Sequence, residues 1–315
     1  MVIAHNEERS LGTALSSILR QRAGDHPYEV VVVDDGSTDT TYAVAADVAR
    51  NDPQIRLLRL DRNRGRGYAR HHGIAAARGE AIATVDADIV LPDDWLARCL
   101  AELDSASASA VCGTAVPDGD VAFLYSTFRL RPRVVPHAAR ITGNNALYRS
   151  EIFQHATFDP NLRDGEDVAL SEQLQALGVG LRTVPGLVVD HKESKSTAQA
   201  LRWMFQSGRG ASRQLWRYKR VRGPDLAFLL WSALVAVGAW RSARERRLSG
   251  LPLLVYTQAL AAIHVTRAFH IDPRRAINLV AASEWDSVML TIYFAGRVSG
   301  ILHQVSSPHV KMPSL

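Results

Sequence analysis

The chain has 315 residues and a formal net charge of +5 at pH 7, which is long enough for one large α/β domain with a smaller region attached. Hydrophobic residues make up 47% of it and charged residues 22%, which is typical of a folded protein rather than a disordered one. The positive charge favours anionic partners such as nucleotides, phospholipid surfaces or nucleic acid. Its two cysteines are too few for a disulfide framework or a thiolate zinc site, so they indicate a reducing compartment.

The first third of the chain alternates between apolar runs and helical patterns. The runs are apolar on both faces, as in strands that are covered on both sides. The alternation therefore predicts a doubly wound, mostly parallel sheet with right-handed crossovers. Strands are predicted at residues 29–33, 55–60 and 82–86, after a short first strand at 1–3, and helices at 38–50, 65–78 and 92–103.

Two carboxylates one residue apart, Asp86 and Asp88, end the apolar run at 82–85. A buried parallel strand cannot hold two charges in its middle, so they must lie at its carboxyl edge, where open α/β sheets bind ligands. Such oxygen ligands suit Mg²⁺ or Mn²⁺ holding a phosphate group. Taken alone, a polar turn that closes the strand is the simpler interpretation.

The alternation is lost after an apolar run at 110–116. The segment 123–140, rich in arginine, proline and aromatic residues, is predicted to form a surface subsite. A strand with a Gly/Asn turn is predicted at 141–148, and a short helix near Glu151. Glu166 and Asp167 begin another helix, where acidic residues by themselves only complement the helix dipole. Core-compatible spacing in that helix is seen at Val168, Leu170, Leu174 and Leu177.

Taken together, these motifs resemble the family 2 glycosyltransferases, whose nucleotide-sugar-binding domain has the Rossmann-like GT-A fold. The resemblance covers roughly residues 1–215, so we predict a GT-A domain there and a C-terminal apolar helical region at 216–315. Ile3 stands where the family usually has proline, and His71 where it commonly has asparagine. The motifs, in the family's order, are VIAHNE at 2–7, VVDDGSTD at 32–39, NRGRGYAR at 63–70, DAD at 86–88 and GED at 165–167.

The resemblance implies two carboxylate stations for sugar transfer from a nucleoside diphosphate. Asp88, with Asp86 beside it, would hold Mg²⁺ or Mn²⁺ on the diphosphate. Asp167 would be the general base that deprotonates the acceptor for in-line displacement with inversion. Glu166 would position rather than react. A single base without an opposing nucleophile means that no covalent glycosyl-enzyme is needed.

Further residues are implied to bind the nucleotide. Asp34 or Asp35 would accept a hydrogen bond from the base or the ribose, and Glu7 and Arg70 resemble additional nucleotide contacts. His191 resembles the histidine that completes metal or diphosphate binding in a number of GT-A enzymes. A solvated helix face for Arg70 and a polar strand cap for His191 are the alternatives.

The sequence QALRW at 199–203 matches the Gln-X-X-Arg-Trp motif of processive polysaccharide synthases. Trp203 could stack on an acceptor sugar or lipid-linked saccharide, while Arg202 could bind the diphosphate. Processive members carry membrane helices before the domain, and none is seen here. We therefore favour transfer of a single sugar.

Apolar stretches recur in the C-terminal third, at 226–240, 251–269 and 285–305. The first is short for a membrane span and the other two contain charged residues. Flanking arginines favour helices that lie at the surface of an anionic membrane, and a soluble helical subdomain is the alternative. No signal peptide pattern opens the chain, so we expect the catalytic domain at the cytoplasmic face. Three apolar residues are few for a first strand, which leaves open a start upstream.

The expected function is an inverting glycosyltransferase that moves one sugar from a nucleoside-diphosphate sugar to a glycan or lipid-linked acceptor, in cell-envelope or exopolysaccharide synthesis. The alternatives are a processive synthase and a non-catalytic nucleotide-sugar-binding protein. A dehydrogenase is disfavoured because the Gly-X-Gly-X-X-Gly pattern is missing at the first strand turn. No nucleic-acid partner is expected, since the basic residues form no recognisable reading motif.

Overall fold

The computed structural model describes residues 1–22, 24, 26–105, 108–118, 141–192, 197–218, 221, 223–245, 288 and 291–303. By their contacts the residues form two compact units. The first contains residues 1–119 and 132–193, and the second contains residues 120–131 and 194–315. The domain boundary expected near residue 215 stays a prediction. The surface subsite expected at 123–140 lies outside the described residues.

The described strands of the first unit form one mixed sheet in the order β3-β2-β1-β4-β7-β6-β8-β5. Neighbours in the β3-β2-β1-β4 half run parallel, as do β6 and β8, whereas β7 and β5 pair antiparallel with their neighbours. The predicted mostly parallel α/β sheet is confirmed. The strands are β1 Val2–Ala4, β2 Val30–Asp34, β3 Ile55–Arg59, β4 Ala81–Asp86, β5 Ile89–Val90, β6 Ala108–Asp118, β7 Asn145–Arg149 and β8 Gly180–Lys192.

Helices connect these strands as the alternating pattern predicted. The expected helices before residue 105 are all present, each with ends shifted by a few residues. A 3-10 helix at Ser150–Gln154 confirms the short helix predicted near Glu151. The α-helices of this unit are α1 Leu11–Leu19, α2 Thr41–Asn51, α3 Arg66–Ala76, α4 Trp95–Ser105 and α5 Glu166–Ala176.

The Gly/Asn turn predicted within 141–148 is present at residues 143 and 144, and the strand follows it from Asn145 to Arg149. One local prediction was wrong. Leu177 was expected in the core but is 53% exposed. It follows the last residue of α5 and precedes Gly178, whose φ of +72° changes the direction of the chain. Of the four residues expected in the core, only Leu170 and Leu174 are fully buried.

Successive residues of β1 and β2 enter different apolar clusters, because side chains alternate across a strand. Val2, Val30 and Val32 pack with residues of α1, α2 and α4. Ile3 and Val33 pack in the second cluster with Ala69 of α3. Helices therefore cover both faces of the parallel half, which explains why these strands are apolar throughout. A third cluster joins β6 and β7 to α5.

The second unit contains three described helices, α6 Thr197–Tyr218, α7 Gly223–Glu245 and α8 at residues 291–303. Helices α6 and α8 approach closely, since a Cβ at Gly208 would overlap the Tyr293 carbonyl and one at Gly296 would overlap that of Phe205. Phe228, Trp231 and Phe294 form a small aromatic cluster. Beside it a buried Arg297 pairs with Asp225.

Within the part of the chain that the structure describes, no helix is long and apolar enough to cross a membrane. The apolar stretch expected at 226–240 lies in α7. The stretch at 251–269 lies outside the described residues, and that at 285–305 is described only at 288 and 291–303. Large apolar side chains of α7 are exposed, namely Leu226, Leu229, Leu230, Val237 and Trp240.

Candidate active site

The carboxyl ends of β1, β2, β3 and β4 lie at one edge of the sheet. These strands are parallel, and their register pairs Ile3 with Asp86, Ala4 with Asp34, and Asp34 with Arg59. Residues that follow the four strands are therefore neighbours although they are far apart in sequence. This is the edge at which parallel α/β sheets bind ligands.

A cavity of about 750 Å³ opens beside the ends of β1, β2 and β3. Its shape depends on two special backbone positions. Asn6 has a φ of +56° and accepts a hydrogen bond from the Thr38 N–H at 2.9 Å. Gly36 has a φ of +64°, and a Cβ there would lie 2.3 Å from the Arg62 backbone, so only glycine fits. The cavity is lined by His5, Asn6, Gly36, Ser37, Thr38, Arg59, Leu60, Asp61, Arg62 and Asn63.

Asp34 and Asp35 are buried and are not among the lining residues of the cavity. Asp34 accepts a hydrogen bond from the Ser37 N–H at 3.1 Å and pairs with Arg59 at 3.3 Å. Asp35 accepts bonds from two consecutive backbone N–H groups, those of residues 64 and 65, at 2.7 and 2.8 Å. Burial raises the pKa of Asp35, and these two bonds oppose the rise. Both carboxylates thus fix the loops that shape the cavity, and direct contact with a base or ribose stays a prediction.

Glu7 lies in the turn between β1 and α1. Its carboxylate accepts a hydrogen bond from the Ser10 hydroxyl at 2.6 Å, and its N–H donates to the Thr41 hydroxyl at 2.7 Å. Glu7 is not among the lining residues of the cavity. In this structure it joins the first strand turn to α1 and α2, and its predicted nucleotide contact is untested.

The paired carboxylates lie where the sequence placed them, at the carboxyl end of β4. The Asp88 carboxylate lies 3.0 Å from Nε2 of His191, and both residues are largely buried. His191 reaches this position because β5 pairs antiparallel with β8, placing Ile89 opposite His191. Burial raises the pKa of Asp86, the Arg70 guanidinium opposes that rise, and the Asp88 charge adds to it.

The acidic motif begins α5, after Gly165 with a φ of +77°. Asp164 pairs with Arg66 at 2.8 Å, and the buried Glu166 pairs with Arg70. Asp167 is half-buried, and one of its carboxylate oxygens lies 3.5 Å from the Gly143 nitrogen. The carbonyl of the next residue, Asn144, accepts a bond from the Asp86 N–H at 3.1 Å. The turn at 143–144 therefore touches both carboxylate stations.

Arg70 also connects the two stations. Its side chain is 2% exposed and its guanidinium pairs with both Asp86 and Glu166. The alternative of a solvated helix face is therefore wrong, because α3 presents this residue to the interior. The nucleotide contact predicted for Arg70 is untested, and its described partners are carboxylates of the protein.

The donor set at this edge fits a divalent cation. Asp86 and Asp88 offer carboxylate oxygens and His191 an imidazole nitrogen, ligands that Mn²⁺ accepts. Among the described residues, no group of three or more His, Cys, Asp and Glu side chains is arranged to hold a metal ion by itself. A cation at this edge would therefore need further ligands, as Mg²⁺ and Mn²⁺ commonly obtain from substrate phosphates.

Arg202 and Trp203 belong to the second unit. Arg202 is exposed on α6, whereas Trp203 is partly buried against Ala200 and Met204. A role of either residue in binding the acceptor stays a prediction.

Sequence reasoning missed several residues at this edge. His5, Arg59 and Arg62 line the cavity, yet none was singled out as a site residue. Arg66 pairs with Asp164 and lies 3.8 Å from Glu166 of the acidic motif, and it was also missed. A usable signal existed for Arg66, because it lies four residues before Arg70 and so occupies the same face of α3.

The parallel half-sheet with its ligand edge, extended by a mixed half that contains β7, β6, β8 and β5, defines a GT-A type fold. The family model described as glycosyl transferase family 2 matches residues 1–165, and the chain belongs to this family.

The chain is also similar in sequence to curated proteins of sugar transfer and polysaccharide synthesis. The chain is 37% identical over 196 residues to the succinoglycan biosynthesis protein ExoO of Rhizobium meliloti (strain 1021), covering 56% of this chain and 55% of that protein. It is 34% identical over 110 residues to the dodecaprenyl-phosphate galacturonate synthase of Rhizobium johnstonii, covering 34% of this chain and 32% of that protein. The matches thus span about half or less of these relatives.

Among solved structures, the mannosyltransferase PcManGT from Pyrobaculum calidifontis, in complex with GDP-Man and Mn²⁺, is similar with a TM-score of 0.63. The identity is 21%, and the match covers 96% of this chain and 86% of that one. Staphylococcus aureus TarS 1–349 gives a TM-score of 0.51 at 18% identity, covering 96% and 90%. At these identities the likeness establishes the GT-A fold.

Proposed function

We propose that this glycosyltransferase moves one sugar from a nucleoside-diphosphate sugar to a glycan or lipid-linked acceptor. The reaction would require a divalent cation and would invert the configuration of the anomeric carbon. One observation carries the proposal. The Asp86–Asp88 station and Asp167 lie at the same edge of the sheet, joined by the 143–144 turn and by the Arg70–Glu166 pair. Inverting transfer needs a diphosphate site and a base facing a common space.

The diphosphate site would be formed by Asp88, with Asp86 and His191 beside it. When bound there, a Mg²⁺ or Mn²⁺ ion would neutralise the charge that develops on the departing diphosphate. The close contact between Asp88 and His191 holds both side chains near the position where a cation would bind. Both are largely buried, which strengthens their interaction with a charge at this edge.

Asp167 would accept the proton of the attacking acceptor hydroxyl. It lies in the first turn of α5, a rigid element, and its neighbour Glu166 is fixed by ion pairing. With no covalent intermediate required, this single base suffices for one displacement with inversion.

The cavity beside β1–β3 is the proposed nucleoside site. Its volume of about 750 Å³ lies in the range of small-molecule sites. Arg59 and Arg62 outnumber the one acidic lining residue, Asp61, and this excess of positive charge favours an anionic nucleotide. Glu7, Asp34 and Asp35 are proposed to support this site, directly or by fixing its loops.

The comparisons support the classes of donor and acceptor. PcManGT was solved with GDP-Man and Mn²⁺, and TarS has been solved with UDP. Similar proteins act in succinoglycan biosynthesis or carry a name that denotes a dodecaprenyl-phosphate sugar synthase. We therefore propose a role in cell-envelope or exopolysaccharide synthesis.

A position at the cytoplasmic face of a membrane is part of the proposal. The exposed apolar residues of α7 end at Trp240, which is followed by the exposed Arg241 and Arg244. Tryptophan and arginine beside an apolar helix face suit the headgroup region of an anionic bilayer. Co-sedimentation with vesicles of neutral and anionic lipids tests it, and equal retention in the supernatant with both would contradict it.

Transfer itself is tested by incubating the full chain with UDP-, GDP- and dTDP-sugars, with Mn²⁺ or EDTA, and a polyprenyl-phosphate or oligosaccharide acceptor. We expect one donor class to support transfer only with metal. Asp167→Asn should lower the rate by at least about 100-fold, the scale of general base catalysis, while nucleotide binding persists. Unchanged transfer by this variant would refute the base assignment. Binding without transfer in the wild type would indicate a non-catalytic nucleotide-sugar-binding protein.

A further inference from the structure

Helix α3 carries two arginines four residues apart, and both pair with the acidic motif. Arg66 pairs with Asp164 and Arg70 with Glu166, on the same face of the helix. We propose that the stretch 65–70 is a clamp that positions the base Asp167 relative to the diphosphate site, with Arg70 as the positioning residue. The inference rests on the proposed function and assigns a role to a motif that the reaction itself does not use.

The guanidinium of Arg70 lies between one carboxylate of each station. Asp86 reaches it from the carboxyl end of β4, and Glu166 from the first turn of α5. Its planar fork has five donors in fixed directions, so it can hold two carboxylates at a set separation. A lysine ammonium is a point charge on a flexible stem and cannot impose that geometry.

The 143–144 turn adds a second connection at the same place. A Cβ at Gly143 would lie 2.9 Å from the guanidinium carbon of Arg70, so the turn packs directly on this group. The same turn contacts Asp167 through the Gly143 nitrogen and Asp86 through the Asn144 carbonyl. Moving the guanidinium would therefore disturb a turn that touches the base and the diphosphate station together.

The two glycines of the stretch 65–70 allow the segment before the acidic motif to pack closely against α3. A Cβ at Gly67 would lie 2.3 Å from the carbonyl oxygens of Asp159 and Leu162, and one at Gly65 would lie 2.8 Å from Arg163. The Gly67 N–H donates to the Leu162 carbonyl at 3.1 Å. Segment 159–163 leads into the acidic motif, so the glycines bring that segment against α3 and the arginines then pair with its carboxylates.

This geometry distinguishes a positioning residue from a nucleotide contact. A nucleotide contact made equally in the ground and transition states would act on the KM for the donor. A residue that sets the distance between the base and the diphosphate site would act on kcat, because a misplacement of 1 Å can cost about 100-fold. The burial of Arg70 and its two carboxylate partners favour the second.

The test compares the full-length wild type with Arg70→Lys, Arg70→Gln, the double variant Arg70→Gln/Glu166→Gln, and Arg50→Lys as control. Arg50 lies in an exposed pair with Asp47 on α2, outside the proposed site. We expect Arg70→Lys to lower kcat by about 30- to 100-fold with the donor KM within about threefold, and the control to match the wild type. A raised KM at unchanged kcat would overturn the clamp in favour of nucleotide binding.

The double variant separates positioning from folding. Arg70→Gln leaves Asp86 without its ion-pair partner and Glu166 with only the longer Arg66 contact at 3.8 Å, and it should unfold at lower temperature. The double variant should recover much of that loss. We expect its kcat to stay low, because the guanidinium no longer holds Asp86 and the acidic motif at a set separation. If the double variant recovered both kcat and stability, Arg70 would have a structural role only.

Amide hydrogen exchange supplies a readout that does not depend on transfer. In Arg70→Lys, peptides covering 141–146 and 159–170 should exchange faster than in the wild type, while peptides of α1 and α2 should not change. Unchanged exchange there would overturn the clamp. If the wild type transfers no sugar from any donor, the proposed function fails, and the exchange result still decides whether Arg70 holds these segments together.

Discussion

Replacing Gly67 by alanine should destabilise the protein, although alanine is normally the better residue in a helix. A Cβ at Gly67 would lie 2.3 Å from the carbonyl oxygens of Asp159 and Leu162, whereas Cβ atoms are essentially never found closer than 3.0 Å to another heavy atom. Both neighbours are backbone atoms and cannot rotate away, so α3 or the 159–162 segment must move. Overpacking of this kind costs about 1–3 kcal/mol, which exceeds the helix gain of roughly 0.5–1 kcal/mol.

Gly12 provides a matched control in α1. A Cβ there would lie 3.8 Å from Cγ1 of Val44, an ordinary contact, so Gly12→Ala should keep the helix gain. Thermal unfolding should place Gly67→Ala below the wild type and Gly12→Ala at or slightly above it, with shifts of about 2–4 °C per kcal/mol. Gly67→Ala should also lower kcat, since the displaced segment leads to Asp167. Equal melting temperatures for the two variants would refute the close-approach argument.

Three further predictions concern the site and the core. Asp88→Asn should weaken Mn²⁺-dependent binding of a nucleoside diphosphate by at least about tenfold in calorimetry, and unchanged affinity would move the cation elsewhere. Gly36→Ala should weaken nucleotide binding even without metal, because the added Cβ would overlap the Arg62 backbone beside the cavity. If the variant bound the nucleotide with the affinity of the wild type, this cavity would be excluded as the nucleoside site. Burial raises the pKa of the thiols of Cys99 and Cys112. Both thiols should therefore stay protonated and should not react with a disulfide reagent at pH 8 until denaturant is added. Rapid labelling of the native protein would contradict their burial.

Much of the fold could be predicted because its signals are local. The run at 30–33 is apolar on both faces, and this property requires helices on both sides of a parallel strand, as the structure has. The position of Asp86 followed from the same rule, since charges are tolerated only where such a strand ends. Parallel topology then places residues after β1, β2 and β4 at one edge without any knowledge of contacts.

Other features depend on tertiary partners that the sequence does not name. The contact between Asp88 and His191 requires the antiparallel pairing of the two-residue strand β5 with β8, for which no sequence signal exists. Leu177 fits the helical spacing, yet the helix ends one residue before it. Arg70 could not be assigned from periodicity, because an arginine on a helix is usually exposed and its burial depends on two carboxylates from distant elements.

The pairing of Glu166 also determines what its neighbour can do. Successive residues of an α-helix leave the axis about 100° apart, so fixing Glu166 against Arg70 fixes the direction of Asp167 as well. A buried ion pair contributes little net stability, because desolvation of both charges offsets their attraction. Apolar residues of similar size could fill that space, but they would not hold Asp86 on the other side of the guanidinium. The pair therefore makes physical sense as a device that sets the orientation of the base relative to the diphosphate station.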